Sequence, residues 1–165
     1  MNLQLKDLYE TDFYAWTQKQ AELLRQRNLN NLDFENLIEE IESLGKQQQQ
    51  ELISRLTILI GHLLKWEYQL TNRSRSWIRT IREQRRQVTK IIKKNPSLKS
   101  MLDEAIKEAY SDAIDLAIDE TGLGFRTFPS EIPYTWEQIE NQNFYPGLLN
   151  DSDRDLLELY GIGNE

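Results

Sequence analysis

Apolar residues recur at helical spacing through most of the chain, and no long segment alternates apolar and polar positions as a strand would. The pattern predicts four principal helices, over residues 12–27, 34–70, 75–94 and 98–120. In the second, the apolar side chains keep one phase through Gly45 at about 100° per residue, so we predict one long helix. A kink at Gly45 is the alternative. Gly45 lies in the middle of the apolar face, where a missing side chain would admit a neighbouring helix.

Local signals set the ends of these helices. Thr11 and Asp33 are expected to cap the first two, Ser97 the fourth, and Asn95-Pro96 ends the third. The residues predicted to face the core from the first two helices are Phe13, Trp16, Leu23, Leu24, Leu37, Ile41, Leu44, Leu52, Leu56, Leu59, Ile60, Leu63, Leu64, Trp66 and Leu70.

The amino-acid composition changes after Gly124, where prolines and aromatic residues predict an extended segment with a short helix over residues 135–140. We expect this segment to wrap the helices. The predicted fold is therefore all-α: an antiparallel bundle of four principal helices in one domain over residues 1–146. Residues 147–165 are acidic and are expected to form a flexible tail, with a possible short helix capped by Ser152.

Composition excludes several kinds of site. The 165 residues include no cysteine, which rules out disulfides, thiolate metal sites and cysteine nucleophiles. The N-terminal residues lack a basic flank followed by an apolar run, and the longest apolar stretch, residues 56–64, is interrupted. We expect a cytoplasmic protein that does not bind membranes.

Charge is segregated along the chain, although the net charge is −7. Residues 65–99 carry eleven Lys or Arg and two acids, a net charge of +9. A basic stripe runs along the third helix, opposite its apolar face: Arg75, Arg79, Arg82, Arg86, Lys90 and Lys93. An acidic stripe follows on the fourth: Glu104, Glu108, Asp112, Asp115 and Asp119.

If the third and fourth helices form an antiparallel hairpin about residue 97, the basic residues of the third lie at the same heights as the acidic residues of the fourth. We therefore predict that the two stripes form ion pairs. Each exposed pair would contribute only about 0–1 kcal/mol. The same stripes could join two subunits, acid to base. Left unpaired, the basic stripe would suit contact with phosphates.

A second group of ionisable residues is predicted near the core: Glu35, Glu39, Glu42, His62, Arg73 and Arg85. Carboxylates and imidazole on facing helices can bind a transition metal in bundles that carry two Glu-x-x-His motifs. Here there is one histidine, and Leu59 stands three residues before it. We interpret the group as a polar network in which Glu39 or Glu42 pairs with an arginine, and we assign no metal, cofactor or catalytic residue.

Several motifs in order carry a resemblance: Tyr9 with Asp12-Phe13 and Trp16, residues 36–45, His62-Leu63-Leu64-Lys65-Trp66, Ser76-Trp77, Gln84-Arg85, Glu120-Thr121-Gly122-Leu123 and Pro133-Tyr134-Thr135. Together they resemble domain-of-unknown-function family twenty-nine over residues 9 to 146. The resemblance implies an all-helical fold and a cyanobacterial source. The family has no established activity, so no site residue transfers from it.

The functional hypothesis is a non-catalytic protein-interaction or adaptor module with an unknown protein partner, and a second copy of the chain is one candidate for that partner. The alternative is nucleic-acid binding through the basic stripe, which the net charge disfavours. A further alternative is a metal-dependent enzyme using the carboxylates and His62. Whether the protein is an enzyme is left open by the sequence.

Overall fold

The computed structural model describes residues 8–163, which contain helices and no strand. The chain comprises two compact units, Met1–Gln47 and Gln48–Glu165. The helices are α1 (Phe13–Arg25), α2 (Phe34–Tyr68), α3 (Arg75–Lys94), α4 (Leu102–Thr121), α5 (Trp136–Glu140) and α6 (Asp151–Glu158). Short 3₁₀ turns occupy Leu29–Asn31, Leu70–Asn72, Pro96–Met101 and Phe125–Thr127. The predicted all-α class is confirmed.

The long second helix is also confirmed, because α2 continues without interruption through Gly45 for 35 residues. The boundary between the two units falls inside this helix, after Gln47. The predicted role of Gly45 is wrong. A Cβ built there would meet nothing within 4 Å, so no neighbour uses the missing side chain.

The first unit has a small interior. Asp12, and not Thr11, caps α1: its carboxylate accepts the backbone N–H of Ala15 at 2.9 Å. Trp16 and Leu23 are its two buried large apolar side chains within residues 8–47. The predicted core positions Phe13 and Leu24 are each about half exposed, so that prediction is wrong for both.

Polar contacts hold α1 beside the start of α2 inside this unit. The indole Nε1 of Trp16 donates to Asp33 Oδ2 at 3.1 Å, and Asp33 N donates to Gln20 Oε1 at 2.9 Å. The carboxylate of Asp33 also accepts from the amide side chain of Asn36 at 2.7 Å. Asp33 and Gln20 are both buried, so these bonds satisfy polar groups that water does not reach.

In the second unit the remainder of α2 packs with α3 and α4. Hydrogen bonds join Asn95 to Gln48 and Arg55 to Gln84, so α3 runs antiparallel to α2. α4 returns after the turn at Pro96–Met101; it begins at Leu102 and not at a Ser97 cap. The apolar core is continuous and includes Leu52, Leu56, Leu59, Ile60, Leu63, Leu64, Trp66, Ile78, Ile81, Val88, Ala109, Ala113 and Ala117.

The helices α2 and α4 come close together at Gly61. A Cβ built on it would lie 2.7 Å from Leu116 Cδ2 and 3.3 Å from the carbonyl oxygen of Ala113. Alanines line the facing side of α4, with Ala109, Ala113 and Ala117 fully buried. Small residues on both helices therefore permit the close approach that the sequence analysis assigned to Gly45.

The segment after Gly124 contributes to the core of the second unit. Phe128, Tyr134, Ile139 and Tyr145 are all buried in its core. The hydroxyl of Tyr110 on α4 donates to Pro129 O at 2.7 Å. The short helix α5 begins with the capping box of Thr135 and Gln138.

The described part of the tail also reaches the core. Asn150, and not Ser152, caps α6, in a capping box with Asp153. Leu157 and Ile162 are buried in the second unit's core. The division into a domain over residues 1–146 and a flexible tail over residues 147–165 stays a prediction, and these buried side chains favour an ordered tail.

Candidate interaction surfaces

An apolar face on α2 is exposed in the first unit. Phe34, Ile38, Ile41 and Leu44 are between 54% and 66% exposed. Their spacing of four, three and three residues places them on one side of the helix. The apolar periodicity predicts that Ile41 and Leu44 lie in the core, and that prediction is wrong for both.

Apolar exposure is concentrated in this unit. Of the twelve large apolar side chains that are exposed within residues 8–163, eight lie between Phe13 and Leu44. The same unit buries only Trp16 and Leu23 among its described residues. It therefore leaves more large apolar side chains in water than it removes, which is typical of a surface that binds a partner.

The edge of the apolar face is acidic. Glu35, Glu39 and Glu42 each follow a face residue by one position, so they line one edge of the face, and all three are exposed. On the other side, Glu40 accepts the Tyr9 hydroxyl at 2.6 Å, and this bond raises the pKa of Tyr9 to about 12. From residue 28 to residue 45 the chain has five acids and no Lys or Arg.

The basic stripe of α3 is the second exposed surface. All six of its side chains, Arg75, Arg79, Arg82, Arg86, Lys90 and Lys93, are exposed. Five of them line an open groove of about 950 Å³ that Gln142 borders from the loop after α5. Within the stripe, Arg86 pairs with Glu83, and the guanidinium of Arg82 lies 5.1 Å from the ring centre of Tyr160.

The predicted pairing of the basic stripe with the acidic stripe is wrong. Over residues 75–119, no ion pair joins α3 to α4. Both stripes lie opposite the buried faces of their helices, so they point away from the contact between α3 and α4. Residues at the same height along two antiparallel helices do not contact each other when both side chains point away from the neighbouring helix.

The predicted polar network is divided among separate contacts. Between residues 8 and 163, no ion pair joins two of its six members, Glu35, Glu39, Glu42, His62, Arg73 and Arg85. The three glutamates belong to the exposed edge described above. The other three belong to the second unit and are buried or nearly so.

His62 is buried within α2 of the second unit. Its Nδ1 lies 2.9 Å from the carbonyl oxygen of Ile58, which identifies Nδ1 as the protonated nitrogen that donates. Burial, and secondarily the charge of Lys65, lowers the pKa of His62 below its ordinary value. The imidazole is therefore neutral at pH 7.

Arg73 and Arg85 both anchor the C-terminal half of the second unit. Arg73 donates to Trp66 O and Leu148 O, each at 2.7 Å, and pairs with Asp153 at 2.6 Å. This pair is buried on both sides. It ties the end of α2 to α6.

Arg85 has backbone oxygens as its hydrogen-bond partners. Its Nε donates to Ile139 O at 2.8 Å and its Nη2 to Phe144 O at 2.6 Å. Its guanidinium carbon lies 5.3 Å from the ring centre of Tyr145. The side chain is 1% exposed, and burial lowers the pKa of Arg85 to about 10, so it remains charged at neutral pH.

Sequence reasoning missed three polar links that each involve at least one buried side chain. Lys65 pairs with Glu120 and lies 4.5 Å from the ring centre of Trp77. The hydroxyl of Tyr134 donates to Glu67. The third is Arg73–Asp153, for which the Asn150-x-x-Asp153 spacing was an available signal of a capping box.

The exposed surfaces of α2 and α3 consist of apolar and charged side chains. Over the described residues 8–163, no group of three His, Asp or Glu side chains is arranged to hold a metal ion. The same part of the chain contains no helix with the length and hydropathy needed to cross a membrane. The exposed surfaces offer apolar contact on α2 and a row of cations on α3.

Comparison with known proteins identifies the family. No curated protein and no solved structure matches the chain significantly. The family model described as "Domain of unknown function DUF29" matches residues 8–145, which is most of the chain and agrees with the resemblance seen in its motifs. The chain therefore belongs to the DUF29 family.

Proposed function

We propose that this protein is a non-catalytic protein-interaction module that binds its partner through the apolar face of Phe34, Ile38, Ile41 and Leu44. The observation that carries the proposal is the exposure of these four side chains on one side of a helix in a unit with a small core. Burying a side chain of this size is favourable by about 1.5–3 kcal/mol relative to leaving it in water. A partner that covered the face would gain much of that energy.

The chemistry of the remaining surfaces agrees with binding more than with catalysis. His62 is buried, neutral and hydrogen-bonded to its own helix. The three glutamates of the predicted network stand on an open, exposed edge. Perturbed acids and bases gathered in a cleft would support an enzyme, and these residues do not have that arrangement.

Site-specific photo-crosslinking in the native host tests the proposal. A photoreactive residue at Ile41 should form one dominant crosslink to another protein, and Ile41→Glu should remove that protein from the isolated complex. The matched position is Leu159, which is 64% exposed in the second unit and lies outside the face. Equal crosslinking from positions 41 and 159, or an unchanged complex with Ile41→Glu, would overturn the proposal.

Nucleic-acid binding through the basic stripe is the second candidate function. The observation that favours it is that the basic side chains of α3 are exposed and, over residues 75–119, form no ion pair with the acidic stripe, although Arg86 pairs with Glu83 on its own helix. The net charge of −7 opposes it, because an acidic body repels phosphates at long range. We therefore expect weak binding to duplex and single strands near physiological salt.

The two candidates are separated by salt dependence and charge reversal. Binding through the stripe would give a log–log salt slope near −0.9 for each duplex phosphate neutralised. Tight binding with a slope of several units, lost in Arg82→Glu/Arg86→Glu, would establish the second candidate. The control is Arg25→Glu/Arg27→Glu, which reverses two exposed charges in the first unit.

A further inference from the structure

We propose that the occupant of the apolar face is an amphipathic helix of another protein whose flanks carry lysine or arginine. This inference rests on the proposed function, and it adds the chemistry of the partner.

The apolar side chains have the spacing of a helix-binding seam. Phe34, Leu37, Ile41 and Leu44 follow one another at three, four and three residues, the spacing of the a and d positions of a coiled coil. Leu37 is half-buried, and Ile38 widens the exposed part of the seam. The face spans eleven residues, with about 15 Å along the helix axis between its first and last, which matches the two to three turns of a partner helix.

The charges beside the seam determine which charge the partner helix should carry. Glu35, Glu39 and Glu42 form an exposed carboxylate row along one edge. Glu39 and Glu42 form no ion pair with another residue of 8–163, and no Lys or Arg occurs between residues 28 and 45. A partner helix with cations at the flanking positions would gain charge attraction along the same length that buries its apolar side chains.

A second copy of the chain does not supply this complement. If two copies paired antiparallel through the same face, they would place one carboxylate row near the other, and such like charges are destabilising. In a parallel pair the row would meet the opposite edge of the partner helix, where residues 28–45 offer no Lys or Arg. The basic helix α3 of a second copy cannot bind the apolar face either, because its own apolar side chains Ile78 and Ile81 are fully buried in the core. The occupant is therefore a helix from another protein.

The acidic edge also opposes a lipid surface as the occupant. Helices that lie on membranes carry lysine and arginine on their polar face, which attract anionic headgroups. The carboxylates beside this seam would repel the same headgroups. The apolar side chains consequently select a protein helix.

The test uses synthetic peptides as probes and the full chain as the receptor. Three labelled 18-residue peptides carry the same number of leucine anchors. The first is an amphipathic helix with lysine flanks, and the second is the same helix with glutamate flanks. The third has the composition of the lysine peptide in scrambled order. Binding is measured by fluorescence anisotropy. We expect the lysine-flanked helix to bind at least about tenfold more tightly than either of the others, because it alone matches both the seam and the edge.

Variants of the chain locate the binding. Ile41→Glu should weaken the lysine-flanked helix at least about tenfold, whereas Leu159→Glu, an exposed apolar position in the second unit, should leave the affinity unchanged. Glu39→Lys/Glu42→Lys should reverse the preference in favour of the glutamate-flanked helix. Circular dichroism should show that each variant keeps its helix content.

Other outcomes would overturn the inference. If glutamate-flanked and lysine-flanked helices bound equally and both required Ile41, the proposed protein-binding function would stand while the basic partner would be rejected. If sedimentation showed a dimer that Ile41→Glu dissociates, the occupant would be a second copy. If the chain bound anionic lipid vesicles through Ile41 and bound none of the peptides, the occupant of the apolar face would be a membrane. If no peptide bound and position 41 formed no crosslink in the host, the proposed function would fail as well.

Discussion

At the scale of single residues, Arg85 has the clearest energetic role. Two backbone carbonyls, of Ile139 and Phe144, accept from its guanidinium in the second unit. Replacing it would leave these oxygens without their charged donor. The geometry depends on a planar fork that an ammonium group cannot reproduce.

We expect Arg85→Lys to lower the free energy of unfolding by about 2–4 kcal/mol, because charged hydrogen bonds to two separated oxygens are lost. Chemical denaturation monitored by circular dichroism measures the change. Arg86→Lys is the matched control: this neighbouring residue is 75% exposed at its side chain, so its replacement should change stability by less than about 0.5 kcal/mol. Equal effects of the two substitutions would contradict this role for Arg85.

His62 should make stability depend on pH in a defined direction. Its folded pKa is lowered from 6.5, chiefly by burial, so the unfolded chain binds the proton more readily. The stabilisation is complete above pH 6.5 and is lost progressively as the pH falls below that value. The groups near His62 that contribute charge are Lys65 and Glu120.

Melting temperatures measured between about pH 5.5 and pH 7.5 test this expectation, because carboxylates titrate mostly below that window. The wild-type chain should lose stability toward pH 5.5, and His62→Gln should lose less over the same range. An identical pH dependence in both proteins would show that His62 does not titrate against folding.

At the scale of elements, α2 contains two glycines with opposite environments. The space beside Gly61 is filled by Leu116 and the backbone of Ala113, whereas Gly45 faces open space. Gly61→Val should therefore destabilise the protein by about 1–3 kcal/mol through overpacking. Gly45→Val should change stability by less than about 0.5 kcal/mol, because valine is only a slightly better helix former than glycine. Thermal unfolding of both variants distinguishes the two sites, and equal stability would contradict the close contact at Gly61.

The helix α6 depends on Asp153, which caps its own helix with Asn150 and pairs with Arg73. Breaking a buried ion pair on one side typically costs about 3–5 kcal/mol. Asp153→Ala should therefore release α6 and make residues 150–163 sensitive to limited proteolysis. Asp151→Ala is the control, since the side chain of Asp151 is 98% exposed in its pair with Arg154. A wild-type tail that is cleaved as fast as the Asp153→Ala tail would support the flexible tail that the sequence predicted.

The sequence predicted the helices of this chain better than their surroundings. Helical periodicity continues unbroken from Leu37 to Leu64, and α2 follows it through Gly45. The same periodicity could not distinguish Leu56, which is buried, from Ile41, which is exposed, because an amphipathic pattern does not identify what covers the apolar side.

The candidate site was predictable only in part for a related reason. The basic stripe is exposed on α3, as its spacing indicated. The charges alone could not show that the acidic stripe of α4 points away from α3. Arg73 and Arg85 were identified as buried partners, yet their contacts with Asp153 and with two carbonyls involve residues more than fifty positions away. Such contacts depend on the path of the irregular segment after Gly124, which local propensity does not determine.

At the scale of the whole molecule, the second unit carries the large apolar core and the first unit carries the apolar surface. This difference gives the two units different expected stabilities. A unit with few buried apolar contacts opens more readily in local fluctuations than one with a continuous core. Binding of a partner to the first unit should slow those openings.

Hydrogen exchange on the full chain, alone and with the lysine-flanked helical peptide, tests the central claim most directly. We expect the peptide to slow amide exchange in residues 34–44 and, by coupling within the first unit, in α1, while exchange in α3 stays unchanged. Protection confined to α3, or equal protection by the scrambled lysine peptide, would contradict the claim that the apolar face of α2 is the binding surface.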